Sequence, residues 1–105
     1  MTMSILGDWD IAIKTPIGTL HVVYSFAERD RIIIGSAAGQ GETVSLSDIV
    51  VTPAGGGLRA TWRQTVTKPM RLKLDFDVLV SGDELNGHSR AGRLPRTAVT
   101  GRRRT

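Results

Sequence analysis

Apolar and polar residues alternate with period two along most of this chain, and the repeat of an amphipathic helix is nearly absent. Trp9, Ile11 and Ile13 alternate with Asp10, Ala12 and Lys14, which predicts a first strand with one buried face. Thr15-Pro16-Ile17-Gly18 supplies a turn, proline through its fixed backbone angle and glycine through its freedom. Leu20, Val22 and Tyr24 then share one face of a second strand, near enough to pair with the first as a hairpin. Ile32-Ile33-Ile34 is apolar on both faces, and Gly35, Gly39 and Gly41 predict a bend or bulge after it. A fourth strand is expected from about Thr43 to Thr52. Val44 and Leu46 alternate cleanly but Ile49-Val50-Val51 does not, so a bulge at Ser47-Asp48 is expected to reset the register.

Pro53 to Gly57 is a loop. The fifth strand carries Leu58, Ala60, Trp62, Gln64 and Val66 on one face and Arg59, Thr61, Arg63 and Thr65 on the other. After a break at Thr67-Lys68-Pro69, the sixth strand is the most amphipathic stretch of all. Met70, Leu72, Leu74, Phe76, Val78 and Val80 face one way, opposite Arg71, Lys73, Asp75 and Asp77. A turn at Ser81-Gly82-Asp83, a short strand from Leu85 to Arg90, and a last strand from Thr97 to Arg102 complete the chain. About eight strands joined by short Gly, Pro and Asp turns predict an all-β fold, an antiparallel up-and-down barrel. A closed barrel is preferred to a sandwich because closure removes exposed edges and no long Greek-key connection is present.

Composition narrows this further. The 105 residues suffice for one core, so residues 1–105 are read as a single domain. There is no cysteine, which excludes a disulfide scaffold, a zinc ribbon and a thiol nucleophile. No apolar run exceeds three residues, so no membrane span is expected. The opening segment has neither a basic n-region nor a long h-region, so no signal peptide is expected and the cytoplasm is the default address. Charge is uneven. Residues 1–84 hold eight Lys/Arg and ten Asp/Glu, whereas residues 85–105 hold six Arg and no acid. Arg102-Arg103-Arg104 read as part of a solvated basic tail over 102–105. Nucleic acid is not an expected partner, because the body lacks basic strands with interleaved exposed aromatics.

Several turns and one tryptophan carry a family likeness. They are Gly7-Asp8-Trp9 ahead of Thr15-Pro16-Ile17-Gly18, Gly35 to Gly41, Trp62 before Thr67-Lys68-Pro69-Met70, Ser81-Gly82-Asp83-Glu84-Leu85-Asn86-Gly87, and Gly101-Arg102. The chain resembles the lipocalin-like small β-barrels of the calycin group, and in particular the minimal barrels related to allene oxide cyclase. Gly92-Arg93-Leu94-Pro95-Arg96 departs from the second glycine-rich turn common in such chains. The resemblance implies a hydrophobic small molecule held inside the barrel, with isomerisation or cyclisation, and no cofactor, as the enzymatic form.

The residues themselves offer few catalytic motifs. GxSxG, HExxH, a P-loop and GxGxxG after a strand are all missing. His21 and His88, the two histidines, alternate onto polar faces and are read as surface residues, so no metal site is expected. Gln64 is the polar exception on an apolar face: it is either a satisfied structural glutamine or a cavity-lining donor that orients a carbonyl or hydroxyl. Tyr24 shares the inward face of its strand, and its hydroxyl needs a partner when buried. Tyr24 and Gln64 are thus the candidate catalytic pair, able to polarise a carbonyl or stabilise an oxyanion. Trp9, Trp62, Met70 and Phe76 are the candidate substrate-binding residues, walls of an apolar site. Ile33, Val23, Val50 and Leu79 are expected to point outward as an apolar patch, which would make a symmetric homo-oligomer the simplest partner. The alternative to a ligand-binding barrel is a non-catalytic interaction module that uses the sheet surface or the basic C-terminal segment.

Overall fold

The structure, a computed structural model, describes residues 4–15, 18–67 and 71–104. Nine antiparallel strands are present: β1 (Gly7–Thr15), β2 (Gly18–Arg29), β3 (Ile32–Gly39), β4 (Glu42–Ser45), β5 (Ser47–Ala54), β6 (Gly57–Val66), β7 (Leu72–Ser81), β8 (Glu84–Arg90) and β9 (Thr97–Arg103). They form one sheet in the order β4-β3-β2-β1-β9-β8-β7-β6-β5. Every neighbour in that order is also a neighbour in sequence, except where β1 meets β9. The sheet is therefore an up-and-down meander curled into a nearly closed barrel. Among the described residues no helix is long and apolar enough to cross a membrane.

The count is nine rather than about eight because the expected strand from Thr43 to Thr52 is divided at Leu46. Its first part pairs with β3 and its second part with β6. The division is visible in the hydrogen bonds. Leu46 N still donates to Gly35 O at 2.9 Å, in register with β3, and the ladder stops after it. The β5–β6 register then shifts between Ser47 and Val50, with Asp48 at a φ of 53°. This is the register reset expected from the alternation of Val44 and Leu46 against Ile49-Val50-Val51. The bent segment Glu42–Ala54 thus bridges the two margins of the sheet. Nearer β4, the Glu42 carboxylate accepts hydrogen bonds from the backbone N (2.8 Å) and hydroxyl of Thr67, tying this segment to the end of β6.

Side chains alternate inward along every strand, and the two ends of the interior differ. One end is solid. Trp9, Tyr24, Phe26, Trp62 and Phe76 fill it together with Ile5 and Leu85, all buried. Trp62 lies opposite Phe76 in the β6–β7 register, and the rings stack at 5.1 Å and 10°. Tyr24 meets Trp62 at 5.5 Å. Aromatic pairs of this kind add about 0.5–1.5 kcal/mol each beyond the burial itself. Glycines make room at close approaches: a methyl group on Gly35 would crowd the Phe26 ring. A methyl group on Gly87 would overlap the Asp77 carbonyl oxygen and the Val78 backbone, so only glycine lets β8 approach β7 there.

Arg103 seals the solid end. Its guanidinium sits 4.4 Å from the centroid of the Trp9 ring. It donates to Leu6 O (2.6 Å), Ser4 O (2.7 Å) and the Asp83 carboxylate (3.0 Å), holding the segment before β1 in place. The stretch expected as a basic tail from 102 is accordingly strand as far as Arg103. Arg102 pairs with Asp10 on β1 and with Glu84 on β8, and Arg104 N donates to Asp8 O at 2.9 Å.

The outward apolar set also differs in part from the expectation. Ile33 packs against the core, and its neighbours Ile32 (64% exposed) and Ile34 (44%) face out. The register explains this. Phe26 is opposite Gly35 and Tyr24 opposite Ala37, which puts Ile33 on the same inward face as Gly35 and Ala37. Val50 and Leu79 are exposed, and Val23 is half-buried.

Candidate functional site

At the end opposite Arg103 the described residues leave space in the interior. Here the inward positions are aliphatic, and they leave a cavity of about 610 Å³. Ile13 on β1, Leu20 and Val22 on β2, Val44 on β4, Val66 on β6 and Leu74 on β7 supply walls. The strand pattern fits this: each inward row that carries a ring at its inner position ends in a smaller side chain. Trp9 is followed by Ile11 and Ile13, Trp62 by Gln64 and Val66, and Phe76 is preceded by Leu74 and Leu72. Aromatics thus fill one half of the barrel, and the shorter chains cannot fill the other.

The floor is polar at two places. Gln64, only 5% exposed, lines the cavity. Its Oε1 accepts from the Tyr24 hydroxyl at 2.6 Å and from Trp62 Nε1 at 3.1 Å. Burial pushes the Tyr24 phenol well above its ordinary pKa, and its contacts with Gln64 and Trp62 only partly oppose that. Tyr24 is therefore a neutral donor at any ordinary pH. Ser89 and Thr97 form the second polar pair, with their hydroxyl oxygens 2.8 Å apart. Thr97 Oγ1 also lies 3.3 Å from Ser89 O, to which it can donate. At the rim, Lys14, Glu42 and Arg96 bring charge to the edge of an otherwise apolar chamber.

No family model, curated protein or solved structure matches this chain. The site is accordingly read from its own geometry. Of the residues expected to carry it, Gln64 lines the cavity, and Tyr24 and Trp62 lie beneath it, bonded to its carbonyl oxygen. Phe76 stacks on Trp62, and Trp9 lies under Arg103 with its Nε1 donating to Ile5 O at 2.9 Å. Neither Trp9, Trp62 nor Phe76 is among the lining residues. Met70 lies outside the described residues. His21 and His88 lie on outer grooves of the barrel, and no group of three or more His, Cys, Asp or Glu side chains gathers among the described residues.

The aliphatic lining and the Ser89–Thr97 pair were not singled out by sequence reasoning. Alternation places Leu72, Leu74 and Val66 on inward faces, but it gives a residue's face and not its height along the barrel axis. Height is what separates a ring in the solid half from a valine on the cavity wall. Ser89 could have been found as the one polar residue among inward positions Leu85, Gly87 and Ser89 on β8.

Proposed function

We propose that this protein binds an apolar small molecule in the open half of its barrel. The observation that carries this is the cavity: about 610 Å³, aliphatic on its walls, with an oriented polar group at its floor. Small-molecule sites have this size and this makeup, mainly apolar with a few fixed polar atoms. Barrels of about eight strands are just wide enough either to be filled by their own side chains or to hold one small ligand, and here they are filled over half their length. Emptying that space of water on binding is favourable by about 25 cal/mol for each Å² of apolar surface removed from solvent. The likeness to lipocalin-like barrels of the calycin group supports the same reading.

Binding is favoured over turnover. An isomerase or cyclase acting through Tyr24 needs the phenol to reach the substrate, but Tyr24 is fully buried, does not line the cavity and gives its proton to Gln64. The interaction-module alternative has less support. The segment Gly101–Arg103 that it would present is paired on both sides by β1 and β8, and Arg103 is committed to the solid end.

The test is titration with an environment-sensitive apolar fluorophore. The wild type is expected to bind one equivalent with enhanced emission, and Ala91→Trp, which places an indole in the cavity, is expected to abolish this without loss of fold by circular dichroism. Equal binding by the two proteins would remove the cavity as the site.

A further inference from the structure

The floor of the cavity holds a hydrogen-bond donor whose direction is fixed and whose partner is not among the described residues. Gln64 Oε1 is engaged twice, by the Tyr24 hydroxyl and by Trp62 Nε1. Rotating the amide by half a turn would set its NH2 against Trp62 Nε1, which can only donate; the Tyr24 hydroxyl could turn to accept, but its own proton would then lose the Gln64 oxygen. The flip would leave the buried indole N–H unpaired, so the amide is held with Nε2 away from the two rings. That nitrogen has no partner among the described residues. No described side-chain nitrogen or oxygen is both fully buried and unbonded. Since Gln64 lines the cavity, its NH2 is open to that space. The other polar pair of the floor, Ser89 and Thr97, is hydrogen-bonded to itself, whereas the Gln64 amide nitrogen has no described partner.

We infer that the ligand is an apolar molecule bearing a carbonyl-type oxygen at its inner end, which accepts from Gln64 Nε2. This rests on the cavity being the binding site and adds the chemistry by which the site selects. A ketone, aldehyde or ester oxygen has two lone pairs and meets the amide directly. A hydrocarbon of the same length fills the walls but leaves the amide proton without an acceptor once water is expelled, and that asymmetry is the source of selectivity. The support for the amide is itself rigid, since Tyr24 and Trp62 are held by the stacked rings beneath them.

The experiment compares an n-alkane with the methyl ketone of equal chain length by displacement of the fluorophore from the wild-type protein. The ketone is expected to bind about tenfold more tightly, the effect of one net hydrogen bond in a dry site. Isotope-edited infrared spectra of the bound ketone should show its carbonyl stretch at lower frequency than in an alkane solvent. In the double variant Tyr24→Phe with Gln64→Leu, the alkane should bind more tightly than to the wild type, since no amide proton is left unpaired, while the ketone preference and the infrared shift both vanish. Gln64→Glu, which keeps the acceptor for Tyr24 and Trp62, should also lose the preference, and it serves if the double variant does not fold. Equal affinity of alkane and ketone for the wild type overturns the inference while leaving the cavity as the binding site. Failure of both probes to displace the fluorophore overturns the cavity reading as well.

Discussion

Tyr24 is the only tyrosine in the chain, so its ionisation can be followed without assignment. In the folded protein burial raises its pKa far above the ordinary value. In the unfolded chain it loses its proton near pH 10. Below about pH 10 both states are protonated and the group contributes no pH dependence. Above it the folded state retains a proton that the unfolded state has released. Stability then falls as pH rises, by about 1.4 kcal/mol per pH unit. Tyr24→Phe removes the ionisation and also the 2.6 Å bond to Gln64, whose loss costs about 1 kcal/mol. The wild type should therefore be the more stable protein near neutrality and the less stable one above about pH 11, where unfolded-state ionisation outweighs the hydrogen bond. Urea unfolding of both proteins, followed by tryptophan fluorescence from neutral pH upward, gives the difference directly, because every other titrating group is common to both. Tyrosinate absorbance should rise only as the wild type unfolds. An absorbance rise near pH 10 with native fluorescence intact, or two stability curves that stay parallel, would refute the placement of Tyr24 in a sealed interior.

Two further outcomes follow from the packing. Gly87→Ala should destabilise the protein by about 1–3 kcal/mol in chemical denaturation, since the added methyl meets the backbone of β7 rather than a movable side chain; an unchanged midpoint would mean that β7 and β8 lie further apart. Arg103→Lys should loosen residues 4–6, because an ammonium cannot reproduce the forked contacts to Ser4, Leu6 and Asp83. Amide exchange of Leu6 should accelerate at least tenfold, and retained protection would show that Ile5 alone anchors the segment.

Much of the architecture is legible in the alternation of residues. Trp9, Ile11 and Ile13, or Leu72 to Val80, admit only one buried face, and the short Gly and Asp turns between strands force antiparallel neighbours. The bulge at Ser47-Asp48 could be read because the apolar rhythm breaks there. The splitting of that segment between two partners could not, since partner choice belongs to the curvature of the whole sheet. A tract such as Ile32-Ile33-Ile34, apolar at every position, gives no direction of its own; the register with Phe26 and Tyr24 decides it. Arg103 illustrates a different limit. By sequence it is one of three consecutive arginines in a basic end, and only tertiary structure sets it against Trp9 and the Ser4 and Leu6 carbonyls. Gln64 was visible as a polar residue on an apolar face, and so was its need for partners. Which of its two amide atoms meets Tyr24 and Trp62, and which is left to the cavity, required their positions.

The asymmetry between the two ends has a practical corollary. Ser4 and Arg104 both lie beside the sealed end, and under the proposed function a guest molecule would come and go by the far side. A tether attached at Ser4 or Arg104 would sit behind that doorway and leave residence time unaltered.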